Sequence, residues 1–390
     1  MPIINRIAGY IEDMKQWRRQ LHKHPELLFD CHETSAFVVE KLKEFGVDEI
    51  HTGIAKTGVV VIIKGQNGGD GTVLGLRADM DALPMQENPG LEYASVYDGK
   101  MHACGHDGHT AMLLGAARYL AETRNFTGRV ALIFQPAEEG GGGGELMVRE
   151  GIMERFGITE VYALHTSIDA DTGHFFTVPG AIMAAVDEFE IKVKGVGGHA
   201  ASPQKTVDPL VAGVGIVTAM QTIISRNHDP MRDAVCSVTQ FHAGTTSNVI
   251  AETAFINGTI RTFDEEDRLM ILQRIKEVAA GQASAYNCEA EVVLTKGYPV
   301  TVNNPQKTEF AVEVAKEISG EAAVKNNAGK ELGAEDFSYM LKERPGSFLF
   351  LGQGNGRGLH NTNFDFNDEA SPYGASYFAR LVEKAQPVVL

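Results

Sequence analysis

Short β-rich runs in this chain stop, one after another, on carboxylates or histidines. TVLGLRADMDALPM carries Asp79 and Asp81, RVALIFQPAEEG ends in polar residues that include Glu138 and Glu139, and EVYALHTS ends in polar residues after His165. Helical patterns separate the runs: Thr34 to Phe45 before Gly46, Ala111 to Glu122, and ELMVREGIMERFG. Near the start, Ile11, Met14, Trp17 and Leu21 recur at helical spacing, so the first 46 residues read as helix. GVVVIIKG and TVLGLRADMDALPM read as buried strands joined by the turn GQNGGDG. Strands alternating with helices imply an α/β fold with a largely parallel sheet. In such sheets the site forms outside the carboxyl ends of the strands, where these polar residues stand.

The alternation is interrupted. A chain of 390 residues is too long for one ordinary core, so two domains are expected. From about Ala184 the order becomes β-α-β-β-α-β: DEFEIKVKGVGG, the helical DPLVAGVGIVTAMQTIISR, AVCSVTQFHAG, TAFINGTIRTFD, the helical EEDRLMILQRIKEVAAGQASAY, and EAEVVLTKG. This is the split βαβ, ferredoxin-like pattern. The inserted domain is expected at 184–296, with 1–183 and 297–390 forming the other.

Bulk properties exclude several function classes. The formal charge of -16 argues against nucleic acid as a partner. With no run of about eighteen apolar residues, no membrane span is expected. The first residues lack the charged and apolar regions of a signal peptide. Cys31, Cys104, Cys236 and Cys288 are widely spaced with no CxxC pair, which fits a reducing cytoplasm rather than a disulfide framework.

The chemistry concentrates in HACGHDGH, residues 102–109. With Asp79, Asp81, Glu138, Glu139, His165 and, in GRGLHNTNFDFND, His360, the chain offers a thiol, imidazoles and carboxylates at strand ends. Such a mixture suits borderline ions such as Zn²⁺ better than Ca²⁺ or Mg²⁺. Five or more donors exceed the four of one tetrahedral ion, so two ions sharing a bridging ligand are expected. Of the adjacent Glu138 and Glu139, one can ligate while the other serves as general base. The glycines Gly140 to Gly144 lack the Lys-Ser/Thr of a phosphate loop and read instead as a tight turn.

Ordered motifs carry a resemblance along nearly the whole chain: RRQLHKHPEL, LRADMDALPM, MHACGHDGHTAML, FQPAEEGGGGG, ALH, GGHAASP, TSNVIAETAFINGTIRTF, GAEDFSYM and GLHNTNFDFND. The chain resembles the M20 metallopeptidase and aminoacylase superfamily. Within it, the chain is similar to the amidohydrolases that include hippurate hydrolases, N-acyl-L-amino acid amidohydrolases and auxin-conjugate hydrolases. The resemblance implies a zinc-peptidase-like catalytic domain with an inserted ferredoxin-like lid or dimerisation domain, and a homodimer or larger homo-oligomer. It also implies two divalent metal ions per subunit, Zn, Mn, Co or Ni.

The matching positions imply Cys104, His106, Glu139, His165 and His360 as metal ligands and Glu138 as catalytic base. They further imply Asp81 as an acid orienting a ligand imidazole, and His199 as an oxyanion-stabilising residue reaching a neighbouring subunit. Asn248 and Arg261 would hold the substrate carboxylate. Asp79 stands where relatives carry a ligand histidine, while His102 and His109 match supporting rather than ligating positions. After His165 the chain reads TSIDADTG rather than a Pro-containing stretch, and NVIAE replaces the usual NVIP. The implied reaction is hydrolysis of an N-acyl amino acid. A dipeptidase or carboxypeptidase on the same centre, or a metal-dependent binding protein, are the alternatives.

Overall fold

The computed structural model describes residues 3–66, 72–88 and 90–388. The expected turn GQNGGDG therefore falls largely outside the described residues, at 67–71. The chain divides into two compact units. The first is Met1–Ile182, Val302–Gly329 and Asp336–Leu390; the second is Met183–Thr301 and Lys330–Glu335.

After a single helical turn at Asn5–Ala8, the first unit continues with helices α1 (Ile11–Lys23) and α2 (His32–Phe45). Helix α1 carries Glu12 and Asp13 in its first turn and His22 and Lys23 in its last, matching the helix dipole, and buries Met14, Trp17 and Leu21. Helix α2 ends where Gly46 adopts φ +70°, the left-handed stop expected of glycine. Then come β1 (Glu49–Ile54), β2 (Gly58–Lys64), β3 (Val73–Asp79), α3 (His106–Thr123), β4 (Arg129–Gln135), β5 (Glu160–Ser167) and β6 (Phe175–Phe176). After the interruption come a helix at Pro305–Ser319, then β7 (Val324–Lys325), α4 (Phe337–Glu343), β8 (Gly346–Gly352) and α5 (Ser371–Ala385).

The sheet order is β1-β2-β4-β3-β5-β8-β6-β7. Its centre, β4-β3-β5-β8, is parallel, whereas β1-β2, β2-β4 and β8-β6 are antiparallel. All seven residues of β3 are buried, as a central strand covered on both faces requires. Two local expectations are corrected. Helix α3 begins at His106, five residues before Ala111. Gly105, at φ +88°, turns the chain into it, and Gly108 lies so close to Phe366 that a Cβ there would meet the ring at 2.3 Å. The single helix expected over ELMVREGIMERFG is two, Gly143–Arg149 and Ile152–Arg155, broken at Gly151 with φ +78°.

The second unit holds a four-stranded antiparallel sheet. In spatial order its strands are Ala234–Ala243, Thr253–Thr262, Ala185–Lys194 and Glu289–Lys296. Strand Ala185–Lys194 alternates buried and exposed side chains, the pattern of a sheet with one covered face. Phe189, Ile191 and Val193 from that face pack with Ile216 and Met220 of helix Pro209–Thr222 and with Ile271 and Ile275 of helix Glu265–Ala285. Asp208 and Asp264 cap the two helices through Leu210 N and Glu266 N. The segment Pro209–Asn227, with mean hydropathy 1.3, is long and apolar enough to cross a membrane by length and composition. It is one-third buried, and Ala212, Gly213, Ile216 and Met220 line its buried stripe.

Candidate metal centre

The centre lies in the first unit, at the carboxyl ends of β3, β4 and β5. On β3, Arg77 and Asp79 share a face because strand side chains alternate. Just past the strand, the Asp81 carboxylate accepts Glu138 N–H at 2.9 Å and Glu139 N–H at 3.1 Å. One acidic side chain thus fixes the backbone of the whole Glu138-Glu139 pair. The chain reaches that pair through a tight turn after β4, with Ala137 at φ +59°. Gly143 N–H closes the turn onto the Ala137 carbonyl at 3.0 Å. A Cβ at Gly143 would lie 1.7 Å from the Pro136 oxygen, so this glycine is sterically required.

The imidazoles can be assigned protons from their partners. A backbone carbonyl only accepts, so His106 Nδ1–H donates to Asp81 O at 2.8 Å. Its Nε2 is buried and has no hydrogen-bond partner. His165 Nδ1–H likewise donates to Thr166 O at 2.8 Å, leaving Nε2 turned toward Cys104 Sγ at 3.4 Å. His109 differs: its Nε2 accepts Thr166 N–H at 3.0 Å while Nδ1–H donates to Asp79 Oδ1 at 2.6 Å. Both its nitrogens are committed, so His109 supports the centre instead of offering a donor atom.

The remaining donors converge on Glu139. Its Oε1 is buried without a hydrogen-bond partner, 3.9 Å from His106 Nε2 and 3.5 Å from His360 Nε2. Cys104, His106 and Glu139 present donor atoms all within 4.8 Å of one another. Ligands about 2.0–2.3 Å from a tetrahedral ion stand about 3.3–3.8 Å from each other, close to the separations observed. Two buried polar atoms left unpaired at that spacing are costly unless a cation joins them. The set therefore fits divalent ions. His360 is held by its N–H to Ala103 O at 2.8 Å and adopts φ +59°. Its side chain is 55% exposed, so it forms the solvent side of the cluster.

Asp79 answers for its own position. Its Oδ1 takes the His109 bond and its Oδ2 takes Arg77 Nη1–H at 2.7 Å. Arg77 in turn donates through Nε to Gln135 Oε1 at 2.9 Å and through Nη2 to Asp336 Oδ1 at 3.0 Å. Asp336 also accepts Gly144 N–H at 2.7 Å and the Gln135 amide at 2.8 Å. Arg77 and Asp336 were not singled out from the sequence, although both lie within LRADMDALPM and GAEDFSYM. The readable signal was an arginine in an otherwise apolar strand, which must find a buried anion.

The electrostatics describe the metal-free protein. Burial drives the Asp79 carboxyl upward, but His106, Arg77 and His109 outweigh it and hold it well below the usual range. Burial, reinforced by Glu139, raises the Cys104 thiol. Burial opposes charge on His106, yet Asp79 and Cys104 keep its imidazolium favoured well above the ordinary value. Cys104 and Glu139 push His360 up to about 10. Burial pulls His165 well below the ordinary imidazole value, so it stays neutral. His102, buried with both ring nitrogens unpartnered, is lowered to about 4 by desolvation and stays neutral.

The other expected residues belong to the second unit. His199 and Asn248 lie together on the ribbon formed by Gly198–His199 and Val249–Ile250, where Ala200 N–H bonds to Asn248 O at 3.1 Å. His199 Nδ1 accepts Ala201 N–H at 3.0 Å, which places the ring proton on Nε2, and the residue is exposed. Arg261 lies on strand Thr253–Thr262, opposite Val235 and Val186, and donates to Ile260 O at 3.0 Å and to Thr259 Oγ1.

Known proteins share this arrangement of chain. Hippurate hydrolase of Campylobacter jejuni is 41% identical over 384 residues, covering 98% of this chain and 99% of that protein. N-acetyl-L-cysteine deacetylase of Bacillus subtilis is 40% identical over 370 residues, 95% of this chain and 86% of that protein. The crystal structure of the Bacillus subtilis YXEP protein, described as a dinuclear metal binding peptidase from the M20 family, superimposes with a TM-score of 0.85 at 34% identity. It covers 97% of this chain and 99% of that one. The model of peptidase family M20/M25/M40 matches residues 75–384, and the chain belongs to that family.

Proposed function

We propose that this protein is a metal-dependent amidohydrolase. It cleaves the amide bond of N-acyl amino acids, giving a carboxylic acid and a free amino acid. The observation that carries the reading is the unpaired, buried Glu139 Oε1 facing His106 and His360, with Glu138 beside it on a backbone clamped by Asp81. The similarity to a hippurate hydrolase over nearly the full length of both chains supports the substrate class.

Cys104, His106, Glu139, His165 and His360 would hold two divalent ions, Zn²⁺, Mn²⁺, Co²⁺ or Ni²⁺. When bound, the ions supply Lewis acidity that makes water nucleophilic near neutral pH and polarises the amide carbonyl. Glu138 takes the proton of the attacking water and returns it to the leaving nitrogen. His199, whose proton sits on Nε2, donates to the oxyanion that forms on the carbonyl oxygen, acting on the neighbouring subunit's substrate. Arg261 and Asn248 hold the carboxylate of the leaving amino acid, a task suited to the planar guanidinium.

The protein acts as a homodimer or larger homo-oligomer, consistent with Leu210, Val211 and Val214 being exposed on the second unit. It works in the cytoplasm, consistent with four free cysteines. The test is amino acid release from N-benzoylglycine and N-acetyl-L-amino acids by metal-stripped protein refilled with each ion in parallel. Release restored by metal is expected. Release from dipeptides alone would reassign the chain as a dipeptidase or carboxypeptidase, and binding without turnover would make it a binding protein.

A further inference from the structure

Helix α1 carries an anomaly that the catalytic reading leaves unused. Arg18 and His22, one turn apart on its buried face, are both fully enclosed. Burying a guanidinium is unfavourable unless it is completely paired, and its partners here are specific. Arg18 Nε and Nη2 donate to the two oxygens of Asp368 at 2.7 and 2.9 Å, and Nη1 donates to Asp365 Oδ1 at 3.2 Å. His22 Nδ1 pairs with Asp107 Oδ2 at 2.8 Å and its Nε2 with Glu87 Oε1 at 3.2 Å. Arg18 Nη1 also lies 3.8 Å from Asp107 Oδ2, which joins the two halves of the network. The Tyr93 ring stacks 4.6 Å from the Arg18 guanidinium carbon, and its hydroxyl donates to Asp365 at 2.6 Å.

The anions are placed with purpose. Asp107 follows His106 directly in the first turn of α3. Asp365 and Asp368 follow His360 on the segment whose Phe366 packs against Gly108 of that same turn. None of these groups offers a donor to the metal cluster. We propose that Arg18 and His22 are positioning residues: from one helix they tie together the segments bearing His106 and His360, and so set the spacing of the donors that meet at Glu139. The inference rests on the metal-centre reading above. Apolar packing would suffice to dock α1, as Met14 and Trp17 already do; a bidentate guanidinium and a doubly bonded imidazole fix one register. Residues that orient ligands in this way typically govern metal affinity about 10–100-fold.

The test uses the full chain loaded with Co²⁺, read by chelator competition and by the visible and thiolate charge-transfer bands. Arg18→Met and His22→Leu are expected to weaken Co²⁺ binding about 10–100-fold and to shift the bands. Met14→Ala, on the same helix but outside the network, lowers the thermal midpoint and leaves affinity and spectrum within about twofold. Arg18→Lys keeps charge and fold but loses the fork, and is expected to fall between wild type and Arg18→Met; it decides the matter if the apolar variants do not fold. Affinity and bands unchanged in folded Arg18→Met or Arg18→Lys would overturn the proposal, as would an equal loss in Met14→Ala. Wild-type protein that binds Co²⁺ without turning over N-acyl amino acids would instead sink the reaction reading and leave this inference standing.

Discussion

Replacing Arg77 with methionine isolates the buried charge network behind the metal cluster. Methionine approximates the arginine stem and removes the guanidinium, which bonds to Asp79 at 2.7 Å, Gln135 at 2.9 Å and Asp336 at 3.0 Å. Each hydrogen bond to a charged group is worth about 1.5–3 kcal/mol in isolation, but such losses do not add within one network. Removing one partner of a buried pair costs about 3–5 kcal/mol. Asp79 keeps His109, and Asp336 keeps the Gly144 N–H and the Gln135 amide, so the lower end applies, about 3 kcal/mol.

At about 2–4 °C per kcal/mol for a unit of this size, the midpoint falls by about 6–12 °C. Calorimetry of the metal-free protein reads this directly. The cycle with Asp336→Asn gives a second readout. Once Asp336 is neutral the arginine has one fewer anion to leave unpaired, so the double variant is more stable than the summed single losses by at least about 1 kcal/mol. Arg77→Met within about 1 kcal/mol of wild type, or strict additivity in the cycle, would refute the view that this arginine holds the strand ends together.

Three further outcomes are expected. Glu138→Gln lowers turnover by about 10²–10⁴-fold while bound metal, measured by elemental analysis, stays at the wild-type level; normal turnover would remove Glu138 from the reaction. Loading Zn²⁺ at pH 7 releases about three protons, because the Cys104 thiol and the raised His106 and His360 must each lose one to become ligands; heats independent of buffer ionisation enthalpy would contradict the donor set. The third concerns pH. Burial works against charge on His22, but Asp107 and Glu87 raise it to about 9 despite Arg18. A raised folded value means stabilisation complete below the unfolded value near 6.5 and lost as pH climbs through about 9, worth about 3 kcal/mol. Denaturant midpoints of the metal-free protein track it, and a His22→Gln variant with the same alkaline decline would exclude this histidine as its source.

Much of the architecture is local information. Short, continuously apolar β-rich runs interrupted by helical ones announce an α/β sheet, and glycines such as Gly46 mark helix ends because few other residues tolerate left-handed backbone. A run that is apolar until its last residues, as in VLGLRAD and EVYALHTS, also announces that its polar end is used. What the linear pattern cannot carry is partnership across long sequence separations. Strand order brings Asp79 beside Gln135 and lets Arg77 reach Asp336, 259 residues away. It also decides that His109 spends both nitrogens on Asp79 and Thr166, whereas His106 and His165 each keep one turned toward the cluster. The same holds for Arg18, whose partner Asp368 lies 350 residues on. Residue type and spacing determine which groups are chemically able to serve; the tertiary structure alone decides which of their atoms remain unpaired, because each hydrogen bond made elsewhere removes a donor or acceptor from the site.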